Sequence, residues 1–185
     1  MKIIDITKEL FSAEVYPGDT APELTRKTTV KDSGFNTSDV NMCLHNGTHI
    51  DAPFHVKESG LSVADIPLEK CCGRCAVITV NGRLNLKIMR EIRGLSARRV
   101  LLRGAKITPV SALALTHLHL DLVGVDVPSV GDKSVHKILI DSGTVVLEGL
   151  DLSLAEDGEY TLYAFPMKIS GADGAPTRAV LIKEL

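Results

Sequence analysis

Between positions 45 and 55 the chain reads His-Asn-Gly-Thr-His-Ile-Asp-Ala-Pro-Phe-His, placing half of its six histidines within eleven residues. No other stretch restricts the backbone as much. His45, His49, Asp51 and His55 all hold odd positions, so an extended chain would put their side chains on one face. Gly47, Thr48 and Pro53 weaken a helical reading. A straight strand, however, would hold His45 and His49 about 13 Å apart at roughly 3.3 Å per residue, too far for groups sharing one ligand. The chain is therefore expected to fold back between them. Gly47 supplies the backbone freedom for that turn, and Pro53 sets a second bend that brings His55 alongside.

Imidazole nitrogen with carboxylate oxygen is the donor set of a hydrolytic zinc or manganese centre. The lack of thiolates in the segment speaks against a closed structural zinc site. Any one of these histidines alone would be read as a surface or core residue; the cluster points to a shared ligand.

The rest of the chain fits a compact α/β protein. Its 185 residues suit a single domain spanning 1–185, and 44% hydrophobic with 24% charged residues is the balance of a chain that buries a core. Lys and Arg total 21 against 23 Asp and Glu, with no basic block, which excludes counterion-driven binding to nucleic acid. No signal-peptide pattern opens the chain and no apolar run has the length of a membrane span, so a cytoplasmic protein without membrane contact is expected. The four cysteines at 43, 71, 72 and 75 are then expected as free thiols.

Apolar and β-branched runs predict strands at 3–6, 76–80, 100–102, 123–125, 144–147, 161–169 and 178–182. Helical patterns lie between them. Leu84, Ile88, Met89 and Ile92 share a face, with Gly94 as a stop; Thr108 caps and Pro109 opens a helix over 110–120; a third runs from Ser134 toward Gly143. Strands alternating with helices, followed by a strand-rich last third, predict a mixed sheet able to close into a small barrel. Residues 16–38 show no periodicity and read as a long loop of the kind that shapes pockets. Cys72 and Cys75 have redox spacing, but a strand follows where a redox motif would open a helix. His117 and His119, two apart on an expected helix, are read as surface groups. Asp126 and Ser129 suit either a turn or the orientation of a ligand histidine.

The motif H-x-G-T-H-x-D-x-P-x-H resembles the signature of the cyclase family, metal-dependent hydrolases that include bacterial kynurenine formamidase (arylformamidase) and isatin hydrolase. Further resemblance lies in Tyr16-Pro17-Gly18-Asp19, in Gly124-Val125-Asp126-Val127-Pro128-Ser129, in His136 with Glu148, and in Gly174-Ala175-Pro176-Thr177-Arg178. It implies a swivelling β/β/α fold, assembled as a homodimer or homotetramer. It implies two divalent ions, zinc or alternatively manganese. His45, His49 and Asp51 would hold one and Asp51, His136 and Glu148 the other, with Asp51 and Glu148 bridging. It also implies that His55 donates and accepts the proton, and that Tyr16 lines the substrate pocket where kynurenine formamidases carry tryptophan. A smaller ring there, and no tryptophan in the chain, departs from an aryl-kynurenine substrate.

This chemistry agrees with the residues. Two bridged divalent ions lower the pKa of a bound water toward about 7 and polarise a carbonyl. An amide's leaving nitrogen must be protonated, a task for an unligated imidazole such as His55. The expected activity is hydrolysis of a small-molecule amide, formamide or lactam. A lactone hydrolase or lyase on the same scaffold, or a metal-binding protein without turnover, is the alternative.

Overall fold

A computed structural model describes residues 1–183. In chain order the strands and helices are β1 (Lys2–Asp5), β2 (Glu23–Thr28), α1 (Val30–Ser33), β3 (Thr37–Asn41), β4 (His49–Asp51), β5 (Cys72–Arg83), α2 (Leu86–Gly94) and β6 (Arg99–Lys106). They continue with α3 (Pro109–Thr116), β7 (Leu122–Val125), α4 (Lys133–Asp141), β8 (Val145–Glu148), β9 (Gly158–Pro166) and β10 (Gly174–Lys183).

Eight strands form a mixed sheet in the order β1-β10-β4-β8-β7-β6-β5-β9. Strands β5 to β8 run parallel, joined by the three longer helices, and the remaining pairs are antiparallel. Because β10 also pairs with β9 along its second edge, the sheet closes on itself. Ring closure gives every strand from β4 to β10 at least two neighbours, which removes edges that would otherwise template association, and leaves β1 alone in this sheet with a single neighbour.

Side-chain alternation divides the interior into two cores. Val77, Leu101, Leu122, Leu147 and Leu162 point into the ring and pack with Ile4, Ile6 and Ile50. Their neighbours Ile78, Val100, Leu102, Val123 and Val146 point outward, beneath Ile92, Leu115, Val135 and Leu139 of the helices. The parallel strands are therefore buried on both faces, which is why they appear in the sequence as continuous apolar runs. Fully burying each such Leu or Val contributes about 1.5–3 kcal/mol.

All seven expected strands are present, with shifted ends. The last runs back to Gly174, and β9 stops at Pro166, whose ring removes a ladder donor. Asn85 caps α2, accepting from the amides of Lys87 and Ile88 at 2.9 and 3.1 Å. The helix opened by Thr108 and Pro109 is shorter than expected and ends at Thr116. There the amides of Leu118 and His119 bond back to Leu115 and Thr116, and His119 adopts φ 51°. His117 and His119 therefore sit in an exposed turn beyond the helix, at the surface as expected.

The long loop expected over 16–38 is a correction: it holds β2, α1 and the start of β3, a two-stranded arm. No residue of β2 or β3 is buried by its own chain, so the segment has no need of the alternation that marks strands. Cys72 and Cys75 lie within β5, and all four cysteines are free thiols. Among the described residues no helix is long and apolar enough to cross a membrane.

Candidate metal centre

The 45–55 segment folds as its breakers require. Gly47 takes φ 65° at the turn, the three residues His49–Asp51 enter the sheet between β10 and β8, and Pro53–His55 form a single 3-10 turn. Thr48 fastens the turn: its hydroxyl donates to the Gly149 carbonyl at 2.6 Å and accepts from the Lys8 amide at 2.9 Å. Gly149 itself has φ 65°, and a Cβ there would lie 2.1 Å from the Gly47 carbonyl oxygen, so two glycine backbones meet where no side chain fits.

Within β4, Ile50 fills the ring while His49 and Asp51 face outward under α4. In the ladder His49 stands opposite Glu148, which places these side chains together although ninety-nine residues separate them. His136 arrives from α4, in the helix's second turn and not at its opening. Asp132 caps that helix, accepting from the amides of Ser134 and Val135 at 2.9 and 3.0 Å.

The resulting cluster is dense and nearly dry. His49 Nε2 lies 3.2 Å from Glu148 Oε2 and 3.4 Å from Asp51 Oδ1. His136 Nε2 lies 3.0 Å from Glu148 Oε1 and 3.4 Å from Asp51 Oδ2. His45 Nδ1 is 2.9 Å from Asp51 Oδ1. In both buried histidines Nδ1 faces a backbone carbonyl, Gly47 for His49 at 3.1 Å and Asp132 for His136 at 3.0 Å. A carbonyl only accepts, so Nδ1 carries a hydrogen and Nε2 is aimed at the carboxylates.

His49 Nε2 and Asp51 Oδ2 are buried and have no hydrogen-bond partner. Unpartnered buried polar atoms are costly, and donors converging on one point are satisfied by a cation. Two groups have ligand atoms within 4.8 Å of one another, His49 with Asp51 and Glu148, and His45 with Asp51 and His55. Asp51 belongs to both. The donors present thus suit divalent ions that accept nitrogen and oxygen.

The electrostatics agree. Burial pushes His49 and His136 toward neutrality, but the carboxylates of Asp51 and Glu148 more than reverse this and hold the imidazoles at about 10 and about 9. Burial likewise opposes the charge on Asp51, yet the imidazoles of His45 and His49 keep its carboxyl far below the usual range. A site that must carry protons to remain neutral has the charge balance of one that takes cations.

His55 lies at the edge of the cluster, its ring 4.3 Å from that of His45 and 5.6 Å from that of His136. The cavity above, about 430 Å³, is lined by Tyr16, Asp19, His55 and Lys133, with His45, His136 and Glu148 at its floor. Five of the seven residues singled out in the sequence, Tyr16, His45, His55, His136 and Glu148, therefore line one cavity, and the other two, His49 and Asp51, are buried in contact with its floor residues. Asp126 accepts from the Gly104 amide of β6 at 3.0 Å, and Ser129, which also lines the cavity, donates to the Gly131 carbonyl in its own turn at 2.9 Å.

One participant escaped the sequence reading. Asp173 precedes β10 and places Oδ2 3.0 Å from His45 Nε2 and 3.6 Å from His55 Nδ1. Its only sequence signal is a lone carboxylate between Gly171 and Gly174, which any turn could carry.

Comparison with known proteins gives a consistent picture. The family model described as "Putative cyclase" matches residues 4–98. The kynurenine formamidase of Salinibacter ruber is 35% identical, over 98% of this chain and 97% of that protein. That of Bacillus cereus (strain ATCC 10987 / NRS 248) is 34% identical, over 96% of each. Among solved structures, a potential metal-dependent hydrolase with cyclase activity superposes with a TM-score of 0.84 at 27% identity, covering 100% of this chain and 99% of that one. Isatin hydrolase A from Labrenzia aggregata shares the fold, with a TM-score of 0.83 at 20% identity over 99% and 94%.

Proposed function

Because the chain belongs to the cyclase family, we propose that it is a metal-dependent hydrolase that opens an amide-type carbon–nitrogen bond, a formamide or cyclic amide, in a small molecule. In this reading His45, His49 and Asp51 would hold one divalent ion, and Asp51, His136 and Glu148 a second. Nitrogen and carboxylate donors of this kind would suit zinc, with manganese as the alternative. The observation that carries the reading is the pair of buried, unpartnered atoms His49 Nε2 and Asp51 Oδ2, aimed into a cluster of carboxylates and imidazoles. When bound, the ions supply carbonyl polarisation and activation of water near neutral pH.

The chain's own groups do the rest. Nδ1 of His49 and of His136 are fixed by carbonyls, which orients both rings without further reorganisation. His55, partly exposed at the cavity, holds a proton on one ring nitrogen while Nδ1 faces Asp173. It receives a proton from water and returns it to the departing nitrogen. Tyr16 forms a wall against which the substrate packs. Likeness to the family also supports a homodimer or homotetramer as the working unit.

The test is a turnover screen of aryl formamides, lactams and lactones with zinc- or manganese-reconstituted protein, alongside elemental analysis. Amide turnover that chelators abolish and metal restores is expected. Metal well below one ion per chain, or turnover indifferent to chelators, would sink the proposal; turnover of lactones alone would move it to ester chemistry.

A further inference from the structure

Leu86, Met89, Arg90 and Arg93 follow i, i+3, i+4, i+7 spacing and form one row along α2. Opposite that row stand Ala114 of α3 and, in the turn that follows, His117 and Leu118, and the two sides flank a groove of about 280 Å³. None of these residues borders the cavity over the metal cluster.

The floor of the groove is apolar: Met89, Ala114 and Leu118 are half-buried, and Leu86 at one end is 76% exposed. Its rim is cationic. Arg90 and Arg93 are exposed and pair with no carboxylate among the described residues, whereas Arg98, further along the chain, is held by Asp121 at 3.0 Å. Helix α3 carries no charged residue, and the one carboxylate of α2, Glu91, does not line the groove, so the fixed charge bordering it is all positive. Side chains three apart on a helix stand about 5–6 Å from each other at Cβ, which lets the two guanidinium forks close on one anion.

Magnitudes decide what such a groove can hold. Exposed ion pairs are weak and screened by salt, so two arginines at a rim do not retain a bare anion. The apolar floor adds attraction in proportion to the area covered, but a neutral hydrocarbon would leave both guanidinium groups unanswered. A groove of about 280 Å³ is at the small end of ligand sites, which run upward from roughly 300 Å³, so the apolar part is a short chain or a single ring. A carboxylate matches the arginine fork bidentately.

We infer that this groove binds a small amphipathic carboxylate, whose apolar body lies on Met89, Ala114 and Leu118 and whose charged end is gripped by Arg90 and Arg93. The site shares no residue with the metal cluster and stands independently of the activity proposed above.

The experiment titrates metal-loaded protein carrying methyl-labelled methionine with octanoate, octanol, octylammonium and inorganic phosphate, followed by NMR. Of the four methionines only Met89 lines the groove, so its methyl resonance, assigned with Met89→Leu, separates binding here from carboxylate binding at the metals. A saturable shift with octanoate is expected, with octanol and octylammonium at least about 10-fold weaker and phosphate without effect. Arg90→Gln/Arg93→Gln, at two exposed positions, should keep metal content and circular dichroism and weaken octanoate binding at least about 10-fold, leaving octanol unchanged. No shift at Met89 with octanoate, equal affinity for octanoate and octanol, or phosphate binding as well as octanoate would each overturn the site. Octanoate affinity unchanged in the double variant would do the same; if that variant fails to fold, the order of the four titrants on wild type decides alone.

Discussion

Asp173, on the turn that leads into the last strand, sets its Oδ2 3.0 Å from His45 Nε2, so that this histidine is held between two carboxylates, with Asp51 at Nδ1. Burial works against the Asp173 charge, but the His45 hydrogen bond outweighs it and keeps the carboxyl below its usual range. Groups that orient a metal-binding histidine from behind are worth roughly 10- to 100-fold in affinity or activity. Asp173→Asn is therefore expected to lower kcat or metal affinity by that factor while the fold persists. Unchanged turnover and unchanged metal titration would remove Asp173 from the site.

His55 and His49 are expected to separate cleanly. His55→Ala should keep its metal and lose about 10²- to 10⁴-fold in turnover, the range for removing a general acid–base group. His49→Ala should lose metal and turnover together. Because His55 also lies within ligand distance of His45 and Asp51, elemental analysis of His55→Ala is the deciding measurement, and loss of metal there would make His55 a ligand.

Stability of the metal-free chain should depend on pH in a direction the site dictates. His49 and His136 rise from 6.5 to about 10 and about 9 on folding, so the folded chain binds the extra protons. Their contribution is complete below about pH 6.5 and is lost as pH climbs through 9 to 10. Asp51 acts oppositely: its depressed carboxyl stabilises above its ordinary 3.8 and that support fades as pH falls further. Chelator-treated protein should therefore show a Tm that declines from neutral toward alkaline pH. Zinc-loaded protein, in which cations replace those protons, should decline far less, and parallel curves for the two forms would contradict the assignment.

Gly149→Ala should destabilise the fold by more than about 1 kcal/mol, because the residue has φ 65° and its new Cβ would press on the Gly47 carbonyl. Urea unfolding at constant m-value reads the loss. A variant as stable as wild type would mean that the 47–49 turn relaxes freely.

Sequence alone determined the parts governed by local chemistry. Apolar runs marked the parallel strands of the ring because their residues are buried on both faces, and Thr108 with Pro109 marked a helix start because capping is a short-range bond. Gly47 and Pro53 marked the bends that gather His45, His49, Asp51 and His55, since backbone freedom is written in single residues. Three things belonged to the tertiary structure. The ladder register set Glu148 beside His49, the meeting of β10 with β4 brought Asp173 to His45, and the absence of any packed face gave the arm no pattern to read. Pairing between distant strands depends on which surfaces the whole chain can bury together. No window of sequence contains that information.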